Sequence, residues 1–147
     1  MLACFYHVWA DGAWQAPLAE HLAALDEYGL GDALDVKCAG IVGGPANCQA
    51  AIEALGPEWQ ITATAGTGYE QVTLAKLHAY AELDGKVLYA HTKGAYRQVP
   101  SNVLWRRRMT GYAVGYWERC VAALDDGYDC AGPHWITPDR FEVPAPF

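Results

Sequence analysis

At 147 residues, 52% of them apolar, the chain has the length of one ordinary domain and enough apolar side chains to fill one core. A net charge of −7 and a pI near 5.0 argue against a basic face that holds nucleic acid by counterion release, but they leave room for a local cationic cleft that takes a small acidic ligand. No apolar run approaches the ~20 residues that span a bilayer, and the opening MLACFYHVW lacks the basic flank and long apolar stretch of a signal peptide. A soluble, cytoplasmic protein with neither membrane nor nucleic acid as partner is expected.

The first predicted strand is Leu2 to Trp9. It leads through Ala10-Asp11-Gly12 into a helix from Trp14 to Tyr28, where Leu18, Leu22 and Leu25 repeat at helical spacing and Gly29 supplies the stop. A second strand, Leu34 to Val42, is closed by Gly43-Gly44-Pro45. Pro45 suits a first helical turn, the helix continues from Asn47 to Leu55, and Gly56-Pro57 ends it. The third strand, Trp59 to Ala65, is rich in β-branched residues. Thr67-Gly68-Tyr69-Glu70 then has the pattern of a capping box opening a helix from Tyr69 to Leu83, and Asp84-Gly85 turns the chain into a fourth strand, Lys86 to Ala90.

Beyond it lie a loop from Tyr96 to Ser101 and one long helix from about Val103 to Leu124. The proline-bearing tail, Tyr128 to Phe147, is expected to hold at most one short strand near His134 to Thr137. Strands alternating with helices over short connections predict a single α/β domain spanning residues 1–147, a Rossmann-like three-layer sandwich with a mostly parallel sheet. In such sheets ligands bind outside the carboxyl ends of the strands. His91, Thr92 and Lys93 follow directly on the fourth strand, and His7 and Asp11 lie at the end of the first.

The five cysteines, Cys4, Cys38, Cys48, Cys120 and Cys130, are odd in number and form no CxxC or CxxH pair. They read as reduced core thiols, most of them inside apolar runs.

The string YAHTKGA, followed by WRRRM and then GYDCAG, resembles a group of bacterial and viral glycosyltransferase-like proteins whose signature is a strand ending in His-Thr-Lys-Gly. The opening FYHVWADGAWQAPLAEHLAALDEYGLGD and the run YEQVTLAKLHAYA are similar to the same family, so the resemblance covers nearly the whole chain. It implies a short GT-A-type half that binds a nucleotide-sugar donor and transfers the sugar to an unidentified acceptor, be it a glycan, a protein or a modified base. Where many transferases of this fold carry Asp-x-Asp and a divalent metal, this chain has His91-Thr92-Lys93. Related chains also run on past the Trp-x-x-Pro segment, matched here by Trp135-Ile136-Thr137-Pro138, and this one stops at Phe147. Part of the acceptor side is then absent or supplied by another subunit, and a homo-oligomer is left open.

A departing diphosphate gathers negative charge that a metal or fixed cations must stabilise. His91 and Lys93, with Thr92 donating a hydrogen bond, are assigned that role, and no metal or other cofactor is expected. The plainer alternative is a strand-capping histidine and a solvated lysine. Arg106, matched to the family's Trp-Arg pair, is the candidate for a second phosphate or acceptor contact; paired with surface acids it would only be a solvated cation. His7 and Asp11 are candidates for a base or ribose contact, with a hydrogen-bonded core histidine as the alternative for His7. Asp129 and Asp139 are the candidate bases for activating an acceptor hydroxyl. Glu70 is already accounted for by the capping box. The competing reading of the whole chain is a non-catalytic nucleotide-binding module or an interaction protein.

Overall fold

The computed structural model describes residues 1–80, 85–92 and 99–132. Among the described residues ten elements follow one another: β1 (Leu2–Ala10), α1 (Gln15–Glu27), α2 (Leu30–Ala33), β2 (Val36–Gly43), α3 (Pro45–Leu55), β3 (Gln60–Ala65), α4 (Gln71–Tyr80), β4 (Lys86–His91), α5 (Pro100–Ala113) and α6 (Trp117–Asp125). The four strands form one sheet in the order β3-β2-β1-β4, and every pairing is parallel. This is the expected Rossmann-like three-layer arrangement.

The centre of the sheet is β1, and a strand buried on both faces reads as a continuous apolar run. Its residues alternate between two cores. Cys4, Tyr6, Val8 and Ala10 pack with Trp14, Leu18, Leu25, Ala51, Leu55 and Val114 from α1, α3 and the end of α5. Ala3 and Phe5 pack on the other face with Cys38, Leu77 and Tyr80, beneath α4. Gly40 lets α4 sit close. A Cβ built on it would collide with the Thr73 hydroxyl oxygen and lie 3.1 Å from the Thr73 Cα.

Four expectations need correction. The long helix from Val103 to Leu124 is two helices, broken at 114–116, because the N–H groups of both Val114 and Gly115 converge on the Thr110 carbonyl and Trp117 restarts from Val114. A short helix, α2, for which no element is expected from the sequence, stands between the first helix and the second strand; Gly29, at φ +70°, separates it from α1. The capping box does not start α4: the Glu70 carbonyl accepts from Thr73 and Leu74, while its carboxylate turns to His91. Of the cysteines, Cys4, Cys38 and Cys48 are buried free thiols, and burial pushes Cys4 up to about 12, but Cys120 is half-buried and Cys130 exposed. The expected strand at His134 to Thr137 lies outside the described residues. Among the described residues, no helix is long and apolar enough to cross a membrane.

Candidate functional site

The strand order reverses direction between β1 and β4. From β1 the chain builds outward through β2 to β3, then crosses back to place β4 on the other side. The crevice at such a switch point, outside the carboxyl ends of the two strands, is where open α/β sheets bind ligands. His7 and His91 are register partners there.

His7 is 3% exposed, and its Nδ1 lies 2.9 Å from the Thr73 hydroxyl. Burial lowers its pKa; Glu70 acts in the opposite sense and His91 in the same sense. His91 is more open, with Nδ1 3.7 Å from a Glu70 carboxylate oxygen, an ion pair whenever the imidazole is protonated. The Tyr89 ring stacks near His91 at 6.3 Å. The Tyr89 hydroxyl is buried, and burial first, then the neighbouring Glu70 carboxylate, raises its pKa. Beside them the Trp9 ring stacks on Tyr69 at 5.9 Å and 22°. Tyr69 is 73% exposed, and the Trp9 indole N–H is buried with no partner. The rim therefore carries two imidazoles, a carboxylate, an aromatic shelf and an unsatisfied donor.

Thr92 is 4% exposed and ties the two strands together past the end of β4. Its N–H donates to the His7 carbonyl at 3.1 Å, and its hydroxyl oxygen accepts the Trp9 N–H at 2.8 Å. Replacing Thr92 by valine keeps the shape and strands the Trp9 N–H. A buried donor left unpaired costs about 1–3 kcal/mol, so Thr92→Val should lower the urea midpoint by that equivalent; an unchanged midpoint would show that water reaches the Trp9 amide.

The other candidates are placed as follows. Asp11 is exposed just beyond β1, and its carboxylate accepts the Gly12 N–H at 2.8 Å. Arg106 is 2% exposed and grips Glu20 with two hydrogen bonds of 3.3 and 3.2 Å; Arg107 adds a third at 3.4 Å. Burial disfavours the charge on Glu20, yet the two guanidinium groups outweigh it and hold its pKa below the ordinary value. Asp129 is not brought to the rim. It lies between Asp125, bridged at 2.7 Å to Lys86 at the start of β4, and Ala131, which lines a cleft with Leu2 and Lys86, so it belongs to the amino-end side of the sheet. Lys93 and Asp139 lie outside the described residues. Among the described residues, no group of three or more His, Cys, Asp or Glu side chains is arranged to hold a metal ion.

A second polar group appears under α1 and α5. The Tyr6 hydroxyl lies 2.6 Å from His21 Nδ1, and burial, aided by Arg106, lowers His21 to about 4. Burial likewise raises Tyr6 well above its usual range. A neutral imidazole and a protonated phenol make Tyr6 the donor and leave the His21 proton on Nε2. These side chains close one end of a cavity of about 80 Å³ that His91 and Arg106 also line, with apolar walls from Leu22, Leu25, Leu88 and Met109. That cavity is where two of the sequence candidates, His91 and Arg106, meet. Sequence reasoning misses Glu70, Thr73, Tyr6 and His21 as site residues. For Thr73 a signal does exist: a glycine inside a strand, Gly40, marks a close approach of another backbone.

Taken together, fold and rim define a Rossmann-like α/β domain with a polar crevice at its switch point. The chain belongs to the family described as a domain of unknown function, DUF8361, whose model matches residues 5–134. No curated protein and no solved structure matches it.

Proposed function

We propose that the β1/β4 crevice binds a nucleotide-sugar donor and that the protein is a metal-independent, GT-A-like glycosyltransferase. The observation that carries this reading is the pairing of His7 and His91 at the switch point, with Glu70 beside His91 and the Trp9–Tyr69 shelf alongside. An aromatic shelf offers a face to a base, and the unpartnered Trp9 N–H offers it a donor. A protonated His91 and Lys93, two positions further along the chain, supply the positive charge that a departing diphosphate requires. Neutral His7, held by Thr73, shapes the floor.

The test is a melting-curve screen with nucleoside diphosphates and nucleotide sugars at about millimolar concentration, where a ligand at 100 times its Kd adds about 2.7 kcal/mol of stability. A charge-assisted hydrogen bond to phosphate is worth about 1.5–3 kcal/mol, so Lys93→Ala should weaken donor binding about tenfold to a hundredfold, and EDTA should leave it unchanged. Absence of any shift overturns the reading. Loss of binding in EDTA with Lys93→Ala unaffected overturns the metal-free form of it.

One observation favours the second reading, a nucleotide-binding module without transfer. Arg106, the expected second phosphate contact, already has its charge met by Glu20. Saturable nucleotide binding with no acceptor-dependent release of nucleoside diphosphate would establish that version.

A further inference from the structure

The space between α5 and β4 is not filled. Along β4 the cavity of about 80 Å³ runs from Leu88, register partner of Cys4, past Ala90, register partner of Tyr6, to His91. Cys4, Leu25 and Val114 line it as buried residues, whereas Leu88, Met109 and Ala113 are only half-buried. Protein interiors close over most voids larger than a water, because atoms that line one lose contacts on that side. Here small side chains, Ala90, Thr110 and Ala113, stand at the wall where larger ones would fill it.

The polar end offers one donor and no net charge. His21 Nδ1 is taken by the Tyr6 hydroxyl at 2.6 Å, so the ring's remaining polar atom is its Nε2–H, and no acceptor among the described residues meets it. Glu20 answers the charge of Arg106, and Glu70 stands beside His91. Burial keeps the Cys4 thiol, the Tyr6 phenol and the His21 imidazole neutral. A diphosphate would find no unspent cation here.

We propose that this cavity is a second binding site, which takes the short aliphatic end of a small neutral molecule and seats its carbonyl, ether or hydroxyl oxygen on the His21 Nε2–H. Size sets the aliphatic part. An apolar cavity of ~150 Å³ stays dry and takes benzene, so one about half as large suits about three or four carbons. Charge sets the head group. A carboxylate or an ammonium would give up its water for walls that hold no opposite charge to spare, which is costly. The site also lies apart from the crevice that faces α4. His7 and Thr73 meet on the α4 side of the sheet, whereas Tyr6 and His21 meet under α1 and α5. The cavity therefore takes its ligand whether or not the crevice binds a nucleotide.

Nuclear magnetic resonance of the full chain with 2-butanone, butyrate and butylammonium tests the proposal. 2-Butanone should shift the methyl signals of Leu22, Leu25, Leu88 and Met109 saturably, with a Kd on the order of 10 mM, as fits so small a ligand. It should also move the His21 Nε2 nitrogen resonance. The two ions should bind at least tenfold more weakly. Ala113→Leu and Leu88→Phe each place carbons in the cavity, and whichever keeps the circular dichroism of the folded chain should lose 2-butanone affinity at least tenfold. Absence of a saturable methyl shift at about 100 mM 2-butanone, well above that Kd, overturns the proposal. So do equal affinities for the ions, a His21 resonance that stays in place, or a folded, filled variant that binds as wild type does.

Discussion

Gly40→Ala should unfold roughly 4–8 °C below wild type. The new methyl would strike the Thr73 hydroxyl oxygen and stand 3.1 Å from both the Thr73 Cα and its Cβ, so the obstacle includes the backbone of α4 and not only a side chain that can rotate away. Overpacking of this kind costs about 1–3 kcal/mol. Displacing Thr73 also takes the hydroxyl from His7, a hydrogen bond worth about 1 kcal/mol. Against this, alanine restricts the unfolded chain and returns about 0.4–1 kcal/mol. A net loss of about 2 kcal/mol in a chain of this size corresponds to a fall of roughly 4–8 °C. The double variant Gly40→Ala/Thr73→Ala removes the hydroxyl collision but still presses the new methyl against the α4 backbone, so it should recover part of the loss and no more. A wild-type melting temperature for Gly40→Ala would mean that α4 does not approach β2 as closely as described, and the placement of Glu70 beside His91 would go with it.

How much of this is legible in the sequence depends on the range over which each feature is determined. The strand and helix order is readable because the central strands of a parallel sheet are continuous apolar runs, and the helices between them keep a 3.6-residue period. The break after Ala113 is not. GYAVGYW sits in a stretch that continues a helical pattern, and the interruption comes from two N–H groups sharing the Thr110 carbonyl as the chain packs on Tyr28. At Glu70 a local pattern is present, and an ion pair with a residue 21 positions later replaces it.

The candidate site divides in the same way. His7 and His91 are visible as polar residues at the ends of apolar strands, and the switch-point rule puts them at a ligand-binding edge. That they are register partners is a property of the sheet. Arg106 stands out for its charge and its neighbours, but its pairing with Glu20, 86 residues earlier, carries no local signature. His21 and Tyr6 meet only because α1 folds back over β1. Chemistry carried by one strand end can be read; chemistry assembled by packing cannot.

Stability should fall as pH drops from about 6.5 to about 4, before most carboxylates titrate, and His21 is the main cause. Burial and the Arg106 guanidinium lower the folded-state pKa of His21 from 6.5 to about 4. Between those values the unfolded chain binds a proton that the folded chain refuses, so acidification favours unfolding. At about 1.4 kcal/mol per pH unit the loss is up to about 3 kcal/mol. His7 is shifted in the same direction and adds to it. Glu20 acts lower on the scale: its folded pKa is held below 4.5, so the stability from its arginine pairs is intact above that value and is lost as pH falls through the folded pKa. Urea midpoints measured from pH 7.5 to 4 should therefore decline first through the histidine window and then more steeply. His21→Gln leaves an amide oxygen for the Tyr6 hydroxyl and removes the titration. It should flatten most of the decline above pH 4.5, with the remaining slope belonging to His7. If His21→Gln follows the wild-type curve throughout, His21 is solvated and charged in the folded protein, and the closed polar end assigned to the cavity beneath α5 is wrong.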